Sequence, residues 1–236
     1  MWLPEEKTEE VKYTVFNKTA KRSIAGRLSF GGAVMEDKLL AEKFAEWIKS
    51  LSAKSARISV YQHIRDIPYA IVPELRDPKT GPSGMIRMNR GSCVPKHFLM
   101  ALMMGELGLP VKYVTYLFDW NDPSIKFPPA LRKVAKNMPI TAHLATKVNI
   151  DGRWALVDAT YDLPLKKGGF PVNESWDGVS DTKNAVIPSE EMVHESLQER
   201  LTFAGKRVGE YTDKERNAYA EFTKRLNYWL EELRRR

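Results

Sequence analysis

One cysteine occurs in the 236 residues, Cys93, and its surroundings suit a nucleophile more than an inert core thiol. Ser92 is a good N-cap and Pro95 is tolerated only in a first helical turn, so Cys93 should open a helix. There the unpaired N–H groups and the positive end of the dipole favour a thiolate. A thiol nucleophile also needs a base, and His63, His97, His143 and His194 are available. The Asp151-Gly152 pair between two strand-like runs predicts a two-residue hairpin turn, which sets Ile150 against Arg153 and Ala145 against Asp158. Because side chains alternate faces, His143 and Asp158 then emerge on one face as diagonal neighbours, about 7 Å apart at the backbone. The opposite face, with Leu144, Thr146, Val148, Ile150, Ala155, Val157 and Ala159, reads as core. A thiol, an imidazole to take its proton and a carboxylate to fix the tautomer make a nucleophile, base and orienter set. What the spacing leaves open is whether helix start and hairpin meet.

The elements that must position these groups follow from periodicity. Weak strands are expected at Val11–Phe16 and Leu28–Val34, and helices over Glu36–Ser50 and Ile58–Arg65. Residues 73–92 carry Pro, Gly, Lys and Arg without periodicity and read as a loop. The most apolar helix runs from Ser92 to a stop at Gly108 and Pro110. Strands are expected at Val111–Phe118, Leu144–Ile150 and Arg153–Tyr161. Tyr219, Phe222, Leu226, Trp229, Leu230 and Leu233 share one face of a C-terminal helix that packs back on the body.

Other features have plainer readings. Cys93 and His97, four apart on a helix, could face one metal ion, but zinc wants three or four protein ligands and no partner motif exists, so no metal is expected and His97 is a helix residue near the cleft. His63 and His194 fall on predicted helices as surface or satisfied residues. Asp119 and Asp122 read as turn formers. Trp154 shares the expected His143 face and is a candidate cleft wall. The arginines at 234 to 236 read as a solvated helix end.

At these residues the chain resembles the transglutaminase-like superfamily of cysteine enzymes. The resemblance rests on Gly91-Ser92-Cys93, the helix end Leu107-Gly108-Leu109-Pro110-Val111, His143, Gly152-Arg153-Trp154 and Asp158-Ala159-Thr160, with Ile67-Pro68-Tyr69 upstream. Two positions depart from the pattern: Ala145 stands where Trp is common, and Val94-Pro95 follows the cysteine in place of a polar pair. The resemblance covers about residues 58–162. It implies an α+β, papain-like core in which the Cys93 helix packs on an antiparallel sheet bearing His143 and Asp158, with flanking helices. Residues 1–57 and 163–236 would be extensions of the same single domain, covering the cleft or completing the core.

The resemblance also implies acyl transfer through a thioester: Cys93 attacks an amide carbon, His143 serves as base and then acid, and Asp158 orients His143. The Cys93 backbone N–H would donate to the oxyanion, with Tyr69, Gln62 and Asn89 as candidates for a second donor. Nothing resembles the additional domains or calcium sites of large cross-linking members, so hydrolysis of a peptide, protein or small amide is expected over cross-linking, with no cofactor. The rival class is a catalytically silent binding module that keeps the triad residues.

Composition sets the outer bounds. A content of 43% hydrophobic and 28% charged residues is that of a folded domain, not a disordered chain. Against 30 acidic residues the 37 basic ones leave a charge of +7, with three at the arginine tail, and no basic stripe with interleaved aromatics suggests nucleic acid. A single cysteine forms no internal disulfide. No apolar run reaches the roughly 18–20 residues that span a bilayer, and residues 1–10 lack signal-peptide character, so a cytoplasmic location without a membrane partner is expected.

Overall fold

A computed structural model describes residues 35–235. The two strands expected before residue 35 lie outside the described residues. Helix α1 (Lys38–Ile48) opens where the Asp37 carboxylate accepts the Leu39 and Leu40 N–H groups at 2.9 and 3.2 Å. Helix α2 (Ala53–Asp66) is longer than its apolar pattern suggested because Ser52 caps it five residues earlier.

The expected loop over 73–92 is instead a 3-10 turn, Pro73–Arg76, followed by helix α3 (Gly81–Met88). Its glycines hid the helix. A Cβ at Gly81 would lie 2.2 Å from the Leu75 carbonyl oxygen, so the close approach of the two segments demands glycine there. Helix α4 (Cys93–Glu106) follows, burying Phe98, Leu99, Met100, Met103 and Met104. Each such side chain removed from water contributes roughly 1.5–3 kcal/mol.

Four antiparallel strands form one sheet in the order β3-β2-β1-β4: β1 (Val111–Phe118), β2 (Thr141–Ile150), β3 (Arg153–Val157) and β4 (Pro188–His194). The hairpin register is the expected one, with Ile150 opposite Arg153 and Thr146 opposite Val157. Asp151 and Gly152 take φ of 52° and 87°, as a primed turn requires. Strand β3 stops at Val157, so Asp158 stands just past the strand rather than on it. The edge strand β4 was not expected; its Ser-Glu-Glu stretch is exposed, and its charge masks the alternation. His194 ends this strand, not a helix, buried with its Nε2 3.0 Å from the Thr115 hydroxyl. Asp119 and Asp122 form turns as expected, accepting the N–H groups of Asn121 and Ser124.

The sheet is covered on both faces, so the His143 side, opposite the apolar layer expected from Leu144 to Ala159, carries a second apolar cluster. On one face Val148, Ile150, Ala155 and Val157 meet Val60, Ile64, Leu99 and Met103 of α2 and α4. On the other, Val114, Tyr116, Phe118 and Ala145 join a cluster completed by the last helix. Two shorter helices precede that one, α5 (Pro129–Ala135) and α6 (Leu197–Gly209), neither of them expected. The last, α7 (Asp213–Arg235), buries Phe222, Leu226, Trp229, Leu230 and Leu233 as expected.

The end of α7 also corrects the reading of the arginine tail. Arg234 binds both Asp162 carboxylate oxygens at 2.8 Å and donates to the Tyr69 carbonyl at 2.9 Å. Asp162 in turn accepts the Tyr69 N–H at 2.8 Å, so the segment leading to Cys93 is clipped to the end of α7. Arg235 points to solvent. No helix among the described residues is long and apolar enough to cross a membrane.

Candidate active site

Cys93 is the first residue of α4 and is 8% exposed. Ser92 is the N-cap in extended conformation, but its side chain makes no capping bond. Pro95 has no N–H. The Cys93 and Val94 N–H groups of the first turn therefore remain uncapped beside the thiol, with the positive end of the helix dipole behind them.

His143 comes from β2. Its Nε2 lies 2.8 Å from Asp158 Oδ2, which leaves Nδ1 as the nitrogen for the Cys93 thiol. Cys93 and His143 line the same cavity, and the His143 imidazole and the Leu144 N–H both act on the thiol to favour its charged form. Asp158 is fully engaged: Oδ1 accepts the Thr160 N–H at 3.1 Å and its hydroxyl at 2.6 Å, and Oδ2 accepts the Ala185 N–H at 2.9 Å in addition to His143. The structure thus brings His143 onto Asp158, and sets Cys93 and His143 on the wall of one cavity.

Electrostatics favour the thiolate–imidazolium pair. For Cys93 burial is the largest influence and acts upward, yet the His143 charge, its hydrogen bond and the Leu144 N–H together hold the thiol below its ordinary value. Burial likewise opposes charge on His143, but Asp158 and Cys93 outweigh it and raise the imidazole to about 10. Asp158 is buried too, and His143, His97 and Thr160 nevertheless hold it well below the usual carboxylate range.

Two neighbours bring helix start and hairpin together. His97 Nδ1 lies 2.8 Å from the Cys93 carbonyl oxygen, and its Nε2 accepts the Ala159 N–H at 3.1 Å. Those partners assign a neutral imidazole donating from Nδ1, and burial lowers its pKa to about 4. With both nitrogens engaged, His97 is a strut between α4 and the Asp158 segment, not a metal ligand. Among the described residues no cluster of three or more His, Cys, Asp or Glu could hold an ion.

Lys96 is 0% exposed and donates to the carbonyls of Arg65, Ala159 and Thr160 at 3.0, 3.4 and 2.8 Å. Burial pushes its amine down to about 7. It pins α2, α4 and the loop after β3 to one point.

Cys93 and His143 open into a cavity of about 360 Å³. Tyr69 lines it, packed edge-on to Tyr161 at 5.0 Å, and burial keeps its hydroxyl protonated well above the usual range. It remains a candidate oxyanion donor. Gln62 is exposed on α2, and Asn89 is exposed at the left-handed end of α3 with φ 47°; neither lines the cavity. Trp154 also lies away from it, paired with Asn149 and covered by Lys112 at 4.6 Å. Four strand positions, about 13 Å, separate it from Asp158.

Sequence reasoning missed the roof of the cavity, formed by one face of α6 and the start of α7. Arg200, Leu201, Ala204, Arg207 and Val208 line it from α6, Arg216 and Tyr219 from α7. The helical spacing of Leu197, Leu201, Ala204 and Val208 is the signal from which α6 was legible.

No family model matches the sequence, and no curated protein does. Among solved structures, a provisionally assigned cysteine protease from Cytophaga hutchinsonii aligns over 66% of this chain and 50% of its own, at 18% identity and a TM-score of 0.37. A provisionally assigned protease from Parabacteroides distasonis aligns over 53% of this chain and 24% of its own, at 17% identity and a TM-score of 0.34. The chain thus spans half the length of the first and about a quarter of the second, and likeness this distant carries no argument about residues or chemistry.

Proposed function

We propose that the protein is a cysteine-dependent hydrolase of amide bonds, in peptides, proteins or glutamine-type carboxamides, acting through a thioester. The observation that carries this reading is the His143–buried Asp158 pair facing a cavity that Cys93, at an uncapped helix start, also lines. The Cys93 thiolate attacks the carbonyl carbon, and negative charge moves to the carbonyl oxygen. The Cys93 and Val94 N–H groups and Tyr69, which line the cavity, would receive that charge. As the C–N bond breaks, the His143 imidazolium gives its proton to the departing amine. Neutral His143 then takes a proton from water, the hydroxide adds to the thioester, and the C–S bond breaks to release the acid and restore the ion pair. The net reaction consumes one water per amide. Asp158 never gives up charge; it fixes the tautomer and stabilises the imidazolium.

The test is the rate of Cys93 alkylation by iodoacetamide against pH, in the native protein and in His143→Ala, followed by a screen of amide substrates with Cys93→Ser as the blank. A thiolate that persists well below the free-cysteine pKa of about 8.5 and is lost in His143→Ala is expected. An ordinary thiol indifferent to His143 overturns the reading and leaves a silent module that binds.

A further inference from the structure

The cavity beside Cys93 is lined by Arg76, Arg200, Arg207 and Arg216 and by no carboxylate. Three of these guanidinium groups already have partners. Arg76 donates to the Tyr219 hydroxyl at 2.8 Å, Arg207 to Glu210 at 3.2 Å, and Arg216 lies 3.8 Å from Asp213. Arg200 has none. It is 5% exposed, its Nε lacks any acceptor, and no described residue forms a side-chain hydrogen bond or ion pair with it.

This is not an isolated gap. Of the four buried side-chain polar atoms without a partner among the described residues, Arg200 Nε, Arg207 Nε and Trp120 Nε1 belong to cavity-lining residues, and all three are donors. A buried charge without a counterion opposes folding and is tolerated where something arrives to pair with it. A guanidinium presents a planar fork that matches a carboxylate. Burial lowers the Arg200 pKa, and the nearby Cys93 charge acts the other way, which places the guanidinium within electrostatic reach of the nucleophile.

We propose that the substrate carries a carboxylate and that Arg200, on the cavity wall formed by α6, binds it beside the carbonyl attacked by Cys93. This deepens the hydrolase reading and rests on it for the scissile bond, though not for the anion. The carboxylate is either an acidic side chain or a chain terminus; both present the same two oxygens.

Iodoacetate and iodoacetamide alkylate the same thiol and differ in one charge, so the ratio of their rates divides out the reactivity of Cys93. In the native protein that ratio exceeds the ratio for free cysteine, and the iodoacetate rate saturates. Arg200→Met lowers the ratio about tenfold or more while iodoacetamide still reacts, the loss of one charge-assisted hydrogen bond. Arg200→Gln serves as a second variant should the methionine protein misfold. Protection by N-acetylglutamate α-amide against N-acetylglutamine tells a side-chain carboxylate from a terminal one.

A ratio equal to that of free cysteine, or one unchanged in both variants, overturns the proposal. A folded protein whose thiol is inert to both reagents refutes the hydrolase reading alone. Calorimetric titration with N-acetylglutamate α-amide and with N-acetylglutamine then decides the anion site: binding that is lost in Arg200→Met supports it, and no binding of either overturns it.

Discussion

Asp158→Asn removes a charge while nearly keeping a shape. Both carboxylate oxygens accept only from donors, Oδ1 from the Thr160 N–H and hydroxyl, Oδ2 from His143 and the Ala185 N–H. The less costly amide orientation keeps its oxygen toward His143 and turns its nitrogen toward Thr160. The Thr160 hydroxyl can rotate to accept, and the Thr160 N–H is left unpaired, at about 1–3 kcal/mol of stability. The larger effect is on the thiol. Without the carboxylate, burial is the dominant influence on His143, the imidazolium is lost, and only the Leu144 N–H and the helix start are left to offset the burial of Cys93.

A thiol returned to the ordinary value of about 8.5 is about 0.3% thiolate at pH 6. The native thiol is held below its ordinary value and so carries more thiolate at that pH. For each pH unit by which it titrates lower, the variant loses about tenfold in thiolate and regains about threefold from the more nucleophilic basic sulfur, a net loss of about threefold per pH unit. Alkylation by iodoacetamide at pH 6, with a urea midpoint measured alongside, gives both numbers. An Asp158→Asn protein that is folded and alkylated at the native rate would refute the argument that Asp158 sustains the ion pair.

His97→Leu leaves the Ala159 N–H without an acceptor and is expected to cost about 1–3 kcal/mol in urea unfolding, part of it restored in His97→Gln. Because His97 titrates at about 4 in the folded protein and at about 6.5 unfolded, the unfolded chain takes the proton first as pH falls. Its contribution, about 3 kcal/mol, is present above about pH 6.5 and lost as pH drops to about 4, and the leucine variant should lack that slope. Arg234→Ala strands the buried Asp162 and is expected to cost about 3–5 kcal/mol, whereas Arg235→Ala stays within about 0.5 kcal/mol, both read from thermal midpoints. Trp154→Ala leaves the alkylation rate unchanged, since Trp154 lies on the far end of the hairpin against Lys112 and does not line the cavity. A tenfold slower thiol in that variant would return Trp154 to the cleft.

What could be read in the chain beforehand was what neighbouring residues decide. The Asp151-Gly152 turn sets a register, the register places His143 near Asp158, and Ser92 with Pro95 starts a helix at Cys93; each step spans few residues. The meeting of those two pieces was not legible, because it is made by His97 and Lys96, whose partners lie 62 to 64 residues away. Nothing in Lys96 as a letter distinguishes a buried pin from a solvated lysine. Helix α3 was hidden by glycines needed for close packing, and β4 by its charge. The roof of the cavity was overlooked for a different reason: its apolar period was present, but the arginines within it looked like surface.

The clip at Arg234 gives the site a history in time. Its bond to the Tyr69 carbonyl joins residues 165 apart, and at typical synthesis rates of about 5–20 residues per second that interval lasts roughly 8 to 33 seconds. For the last 141 residues of it, roughly 7 to 28 seconds, Cys93 has been made but the segment ahead of it lacks its anchor. A nucleophile free to act on a nascent chain would be a hazard to that chain and to its neighbours on the ribosome. With the anchor so late in the translation order, the segment ahead of Cys93 is fixed in place only after the sheet and the helices around it have been synthesised.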